Sequence, residues 1–307
     1  MKLEELEQAR ADYAAAVRKK TKIAFIIAAI LFSPVVISVI MTQVSIFDLI
    51  PLVIFPFFFL VFATIFINLT TTKQQQAYRR LYKAYFVTES LNKFFTQVQH
   101  FSDTGILKSE VRKAMTTGDR FRSNDLVIAK YKNINFTQAD VHIEEEETDS
   151  DGNTSYSTIF RGRFLEFDFN RNFSFGLQVV QKGFAGAIRP TTGNDRKFSK
   201  IETESTVFNK QFKVYAEDGF EAFYILDPAF IEKIQNLELE CKGNLLLTFL
   251  DSKLYIAIND HKDAFEAPSP MKPLDEKAEL DKVGNDIKVI TNFVDTLDLD
   301  KLFKVNK

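Results

Sequence analysis

The chain has 307 residues, enough for one large domain or for two unequal parts. Its 39 Lys and Arg residues balance 41 Asp and Glu residues. The resulting net charge of -2 disfavours nucleic acid as a partner, because proteins that bind nucleic acid usually carry a basic field. Cys241 is the single cysteine, which excludes an intramolecular disulfide and a Cys-rich zinc site. With 46% hydrophobic residues, the composition predicts a largely folded chain.

Two long uncharged segments near the N-terminus predict membrane-spanning helices. Residues 23–47 and 49–72 contain no Asp, Glu, Lys or Arg. A helix needs about 20 apolar residues to cross a bilayer, where only an internally hydrogen-bonded backbone is stable. We therefore predict a two-helix transmembrane hairpin over residues 23–72, with spans at 23–41 and 49–69 and a turn at 42–48. The alternative is a pair of buried core helices, which rarely run this long without a polar face.

Positive charge flanks this hairpin on both sides, whereas its turn contains only Asp48. The cations before the first span and after the second are Arg18, Lys19, Lys20, Lys22, Lys73, Arg79, Arg80 and Lys83. Because segments rich in Lys and Arg next to a span stay in the cytoplasm, both termini are predicted to be cytoplasmic. The predicted location is the inner or plasma membrane, with the lipid bilayer as one partner.

The segments beside the hairpin have helical periodicity. Residues 1–22 predict a cytoplasmic amphipathic helix, and residues 73–118 predict a helical stalk. Neither Gly nor Pro interrupts residues 70–102, so this helix can continue from the second span. The stalk contains a heptad seam, the apolar stripe through which helices pair. The seam residues are Ala77, Leu81, Ala84, Thr88, Leu91, Phe95 and Val98.

Residues 267–307 predict a Pro-rich linker followed by a second amphipathic helix. Its seam residues are Leu280, Val283, Ile287, Ile290, Val294 and Leu297. This seam is shorter than an autonomous coiled coil requires. Two interpretations stay open, packing on the same chain and self-association through the seams.

Between the two helical regions, residues 119–266 predict a β-rich cytoplasmic domain. Apolar and polar residues alternate at 165–170 and 212–217, as expected for half-buried strands. Residues 245–250 and 254–258 flank Asp251 and predict a hairpin. Asp227 and Pro228 predict the cap and first residue of a helix. The fold class is α+β with a mainly antiparallel sheet.

Motifs that carry chemistry are missing from the sequence. It has neither a phosphate-binding loop nor a dinucleotide fingerprint, so no cofactor is predicted. The three histidines, His100, His142 and His261, lack metal-ligand spacing, and no metal site is predicted. Residues 149–153 depart from the calcium-loop spacing and predict a solvated hairpin tip. Cys241 is interpreted as structural or as incidental.

Arg161 and Arg163 form the strongest binding candidate. They lie two residues apart, hence on one face of a predicted strand, and a pair of guanidinium groups can hold a phosphate or a lipid headgroup. The alternative is cross-strand pairing with glutamates. If the protein is an enzyme, His142 and Glu144 are the further candidates, because they share a strand face.

The order of these features resembles a bacterial two-span membrane-protein family, the domain of unknown function 3137. The similarity rests on residues 124–127, 140–144, 159–164, 212–216, 222–230 and 254–258, and it spans about residues 120–265. The resemblance implies an N-terminal helical hairpin and a cytoplasmic β-rich domain, but no activity and no catalytic residue. Together with the absence of motifs, it favours a membrane-anchored interaction or scaffold module. The alternatives are an enzyme of unrecognised type at the membrane surface and a subunit of an oligomeric membrane complex.

Overall fold

The computed structural model of the chain describes residues 3–41, 50–168, 175–184 and 198–302. The chain divides into two compact units. The first unit consists of residues 1–86 and 267–276, and the second of residues 87–266 and 277–307.

The described residues form an α+β structure with a helical N-terminal region, a large antiparallel sheet and a C-terminal helix, as predicted. The helical elements are α1 (Leu3–Met41), α2 (Ile50–Tyr82), a π-helical segment (Lys83–Thr88), α3 (Glu89–Phe94), α4 (Lys108–Ala114), α5 (Thr206–Gln211), α6 (Gly219–Ile225), α7 (Pro228–Glu240), α8 (Glu276–Thr296) and α9 (Leu299–Leu302). The strands are β1 (Thr96–Phe101), β2 (Arg120–Tyr131), β3 (Ile134–Thr148), β4 (Thr154–Asp168), β5 (Leu177–Gln181), β6 (Ser199–Ile201), β7 (Phe212–Ala216), β8 (Asn244–Leu250) and β9 (Lys253–Asn259).

The first unit is built on the pairing of α1 with α2, which run antiparallel. The rings of Tyr13 and Tyr78 lie 6.2 Å apart. About two turns further along α1, the ammonium group of Lys20 lies 5.6 Å from the ring centroid of Phe66. Both helices of the predicted hairpin are therefore present, and their described parts pack together.

The packing of α1 against α2 does not by itself place these helices in a membrane. Across the residues that the structure describes, no helix combines the length and the apolar composition needed to cross a bilayer. The predicted turn at residues 42–48 lies outside the described residues. The two spans therefore stay a prediction.

The Pro-rich segment also belongs to the first unit. Nη1 of Arg10 donates to the carbonyl oxygen of Pro270 at 2.6 Å, and the hydroxyl of Tyr78 donates to that of Pro268 at 3.2 Å. The hydroxyl of Tyr85 donates to Oε1 of Glu276 at 2.9 Å. The predicted linker is thus a segment fixed along these helices by hydrogen bonds.

The helical stalk ends earlier than its heptad seam predicts. The π-helical segment changes the helical register, and α3 ends at Phe94. Phe95 is extended and packs its ring 4.9 Å from that of Phe136, and the next six residues form the edge strand β1 against β2. Pairing with a strand thirty residues away therefore decides the structure of residues 96–101, which the local helical pattern could not reveal.

The second unit contains the sheet. In the described ranges, nine antiparallel strands are ordered β1-β2-β3-β4-β9-β8-β5-β7-β6. The prediction of half-buried strands is confirmed for β7, where buried and more exposed residues alternate, but is wrong for residues 165–167 of β4, which are all buried. At the centre of the sheet, β8 and β9 are buried on both faces. On one face, Val111 of α4 packs with Phe164 and Ala257. The other face includes Arg163, Leu165 and Ile258, which alternate with them.

Several local predictions are confirmed. Oδ1 of Asp227 accepts from the backbone N–H of Phe230 at 2.7 Å, and Pro228 takes the first helical position of α7. β8 and β9 are joined by a tight turn at Asp251, whose φ is 55°. At the tip of the β3–β4 hairpin, Oδ1 of Asp149 accepts from the N–H of Asn153 at 2.8 Å.

The C-terminal seam packs on its own chain. Val283, Ile287, Ile290, Val294 and Leu297 are fully buried, whereas Leu280 is exposed. Lys282 donates to the carbonyl of Glu266, which fixes α8 to the segment after β9. Of the two open interpretations, packing on the same chain is therefore confirmed for this helix.

Candidate functional site

The two predicted anion-binding arginines have separate carboxylate partners. Arg161 forms a bidentate pair with Asp263, from Nε to Oδ1 at 3.0 Å and from Nη2 to Oδ2 at 2.9 Å. Arg163 bonds to Asp286 of α8, through Nη2 to the carboxylate and through Nη1 to the carbonyl oxygen at 2.7 Å. These partners are not the cross-strand glutamates expected from the sequence. Contact with an anion or a headgroup stays a prediction for both residues.

The enzyme candidates His142 and Glu144 lie on β3. His142 is directly opposite Arg161 in the β3–β4 register, but its Nε2 lies 3.0 Å from the hydroxyl of Thr158. Oε2 of Glu144 accepts from Arg122 on β2 at 3.3 Å. The sheet brings His142 and Arg161 into register, yet each has a different hydrogen-bonding partner.

A polar cleft lies where the end of α7 meets β9 and α8. Its volume is about 460 Å³, within the range of small-molecule sites. The walls carry three cations and three carboxylates. These residues are Arg163, Lys242, Lys262, Glu240, Asp260 and Asp286. The amide of Asn292 donates to Oε2 of Glu240 at 2.9 Å and joins α8 to the end of α7. The balance of charge suits a small polar molecule with groups of both signs.

Cys241 lines the same cleft as the cap residue of α7. Burial raises the pKa of its thiol to about 12, and the adjacent Glu240 carboxylate adds to the rise. Because the thiolate is the nucleophilic form, this thiol is a poor nucleophile near neutral pH. The interpretation of Cys241 as structural therefore agrees with its surroundings. Burial also raises the pKa of Asp260.

A buried polar cluster adjoins Arg163 on the inner side of the sheet. It consists of His100 on β1, Asp125 on β2, and Gln138 and Asp140 on β3. Nε2 of His100 lies 3.6 Å from Oδ1 of Asp125, and its Nδ1 lies 2.9 Å from the hydroxyl of Thr88. Asp125 occupies a bulge in β2 with a φ of 56°, which turns its side chain inward.

Asp140 is, with Gln138, one of two members of this cluster whose side-chain polar atoms all lack a hydrogen-bond partner within the described residues. It is 1% exposed, and neither carboxyl oxygen has a hydrogen-bond partner within the described residues. Burial and the nearby Asp125 carboxylate raise the pKa of Asp140 well above its usual value, although the Ala264 amide and Arg163 act in the opposite direction. The Ala264 N–H influences the carboxyl group without reaching hydrogen-bond geometry.

Sequence analysis missed this cluster. Gln138, Asp140 and His142 alternate with Ala139 and Val141, so the period of two places them on a solvent-facing side. That face is instead covered by residues far along the chain, including Phe265 and Asp286. The backbone N–H of Phe265 donates to Oδ2 of Asp286 at 3.2 Å.

No group of three His, Cys, Asp or Glu side chains within the described ranges has the geometry of a metal site.

Residues 158–299, slightly less than half of the chain, match a family model described as "Protein of unknown function (DUF3137)". The match supports the resemblance to an uncharacterised domain family. It runs from within β4 to the start of α9, so it includes both arginines, the cleft and the C-terminal seam, which the sequence resemblance did not reach.

No curated protein matches the chain. Among solved structures, the chain is similar to the crystal structure of the mycobacterial trehalose monomycolate transport factor A, TtfA. The sequence identity is 9%, the TM-score is 0.39, and the alignment covers 71% of this chain and 95% of that chain. This likeness is too weak to assign a shared fold or function.

Proposed function

We propose that the protein is a membrane-anchored interaction or scaffold module whose sheet-containing unit lies on the cytoplasmic side. The observation that carries the proposal is a band of exposed apolar side chains on α1 and α2. Large contiguous apolar surfaces are unusual in contact with water and are typical of surfaces covered by lipid or by another protein. The members of the band are Phe25, Ile26, Ile27, Ile30, Leu31, Ile37, Phe58, Leu60, Val61, Phe62, Ile65 and Leu69.

Charge at the end of this band favours lipid as the covering medium. A depression of about 540 Å³ along α1 is lined by Arg10, Arg18, Lys19 and Lys22, directly before the uncharged segment begins at Ile23. Cations next to an apolar helix attract anionic headgroups and keep that end in the cytoplasm. The two spans, the cytoplasmic termini and a bacterial source belong to this proposal.

Interaction is favoured over catalysis because the nominated groups have structural partners. Arg161 pairs with Asp263, Arg163 with Asp286, and Glu144 with Arg122. In addition, α6 carries two aromatic side chains that are about 70% exposed, Phe220 and Tyr224, with ring centroids 5.6 Å apart. Aromatic side chains are enriched at the centres of protein interfaces.

Two experiments test the proposal. Carbonate washing of membranes should leave the chain in the pellet, and a reporter fused after Lys307 should be active only in the cytoplasm. Release by carbonate or an extracytoplasmic reporter contradicts the anchor.

For the interaction role, a photo-crosslinking residue at position 220 should give one defined protein adduct in cells. The matched control is position 239, where Leu239 is 78% exposed on α7. Equal adducts at both positions, or none at 220, contradict the interaction surface.

The polar cleft favours a second candidate, an enzyme of unrecognised type at the membrane surface. Its volume of about 460 Å³ and its groups of both signs fit a small polar substrate. The test is hydrolysis of phosphoester and glycoside substrates by the purified chain. Loss of any activity in Lys242→Ala, with activity kept in the surface variant Lys200→Ala, supports the enzyme; equal activity in both contradicts it.

A further inference from the structure

Arg163 lies between two aspartates that belong to different elements. Asp140 is its direct neighbour across the β3–β4 pair, where opposing Cβ atoms are about 5 Å apart. Asp286 lies on α8, and both its carboxylate and its carbonyl accept from Arg163. The second carboxylate oxygen of Asp286 accepts from the N–H of Phe265 at 3.2 Å. Arg163 therefore holds α8 on the sheet. The side chain of Asp140, opposite Arg163 in the strand register, makes no hydrogen bond within the described residues.

We propose that Arg163 exchanges between Asp286 and Asp140, so that α8 is held on the sheet while Asp140 carries a proton and is loosened when Asp140 loses it. An uncharged carboxyl group competes weakly for a guanidinium group. A buried carboxylate needs a cationic partner, and Arg163 is the cation opposite it in the strand register.

Charged groups reach Asp140 from each element around it. Asp125 faces it from β2 and Asp263 from the segment after β9, while Arg161 and Arg163 approach from β4. His100 on β1 acts through its contact with Asp125, Asp286 on α8 acts through Arg163, and Asp260 lies near the same guanidinium. Burial and the two acidic neighbours raise the pKa of Asp140, so its proton is retained well above the pH at which an exposed Asp loses it.

Loosening of α8 has a chemical reporter already in the chain. Cys241, the single cysteine, faces Asn285 and Val289 of α8 across the cleft. An α8 that leaves the sheet opens this cleft and exposes the thiol. The device depends only on the second unit, so it stands or falls independently of membrane attachment.

The test is alkylation of Cys241 by iodoacetamide in the purified 307-residue chain from pH 5 to pH 9. Wild type is compared with Asp140→Asn, which cannot ionise. The alkylation rate of wild type is divided by that of the variant at each pH, which cancels the pH dependence of the thiolate itself. We expect this ratio to be near one at pH 5 and to rise to three or more at pH 9. The control Asp151→Asn removes an exposed carboxylate at the tip of the β3–β4 hairpin and should follow wild type. A ratio that stays constant with pH overturns the proposal.

A second measurement covers the case in which Asp140→Asn fails to fold. Hydrogen exchange of wild type is followed in the peptide 276–296, with each rate divided by its intrinsic value. Protection of α8 should fall at least threefold between pH 5 and pH 9, while the β8–β9 hairpin stays unchanged. Equal behaviour of the two peptides contradicts the exchange of Arg163 partners.

Discussion

Nε2 of His100 lies 3.6 Å from Oδ1 of Asp125, and both side chains are almost completely buried. The two residues come from neighbouring strands, and the bulge in β2 makes their approach possible, because it turns Asp125 away from the ladder. Thr88, at the end of the π-helical segment, contacts the other ring nitrogen of His100 at 2.9 Å. The imidazole thus joins the helical entry of the second unit to its first two strands.

Replacing this imidazole should destabilise the second unit. His100→Ala leaves Asp125 buried without its ring partner, and we expect the free energy of unfolding to fall by about 3 kcal/mol. Urea unfolding followed by tyrosine fluorescence measures the change. The control is His142→Ala on β3. Because His142 is only half-buried, this change should alter the free energy of unfolding by less than about 1 kcal/mol. Equal losses in both variants contradict a special role for the His100–Asp125 pair.

The raised pKa of Asp140 predicts a particular dependence of stability on pH. Burial, and then Asp125, make the folded state hold the proton more tightly than the unfolded chain does. The stabilisation from that proton is complete below the pKa of the unfolded chain and is lost as the pH rises through the pKa of the folded state. Asp140→Asn should therefore be more stable than wild type at pH 8 and lose less stability between pH 5 and pH 8. Urea midpoints measure both quantities, and parallel curves contradict the assignment.

The cap of α7 offers a prediction of local stability. The carboxylate of Asp227 accepts from the N–H of Phe230, so Asp227→Ala should lower the free energy of unfolding by about 1 kcal/mol. Asp227→Ser keeps a capping oxygen and should lose less than half of that amount. A Ser variant as unstable as the Ala variant shows that another contact of Asp227 matters more than the cap.

Local patterns were sufficient for the elements whose signals are complete within a few residues. The Asp227–Pro228 start of α7 and the β8–β9 hairpin are examples, because a cap and a tight turn are read over two to four residues. The strand β1 was missed, because its pairing with β2 outweighs a heptad pattern that continues from α2. Local helical preference is weak compared with the hydrogen bonds of a strand pair.

The candidate site was less accessible to sequence reasoning than the fold. The spacing of Arg161 and Arg163 drew attention to the correct strand, but their partners Asp263 and Asp286 follow 102 and 123 residues later. No pattern within a strand encodes such contacts. Asp140 was overlooked for the same reason, since its burial results from the segment after β9 and from α8.

Cys241 should react far more slowly than an exposed thiol. With a pKa raised to about 12 by burial, its thiolate fraction at pH 8 is roughly a thousandfold below that of an ordinary cysteine. Alkylation by iodoacetamide should accordingly take hours in the folded chain and minutes in urea, with a free-thiol peptide as the reference. A rate in the folded chain close to that of the peptide contradicts the burial of this thiol.

Charge placed in the apolar band tests the membrane anchor at single positions. Ile30 and Leu60 are both about two-thirds exposed and lie near the middle of the two predicted spans. A lysine at the centre of a spanning helix costs about 2.5–3.5 kcal/mol, so the double variant Ile30→Lys and Leu60→Lys should lose most of its insertion into membranes. Flotation of membranes on a sucrose gradient measures the inserted fraction. Leu239→Lys adds the same charge to an exposed apolar position of α7 and should float like wild type. If the double variant floats equally well, the band contacts something other than the lipid interior.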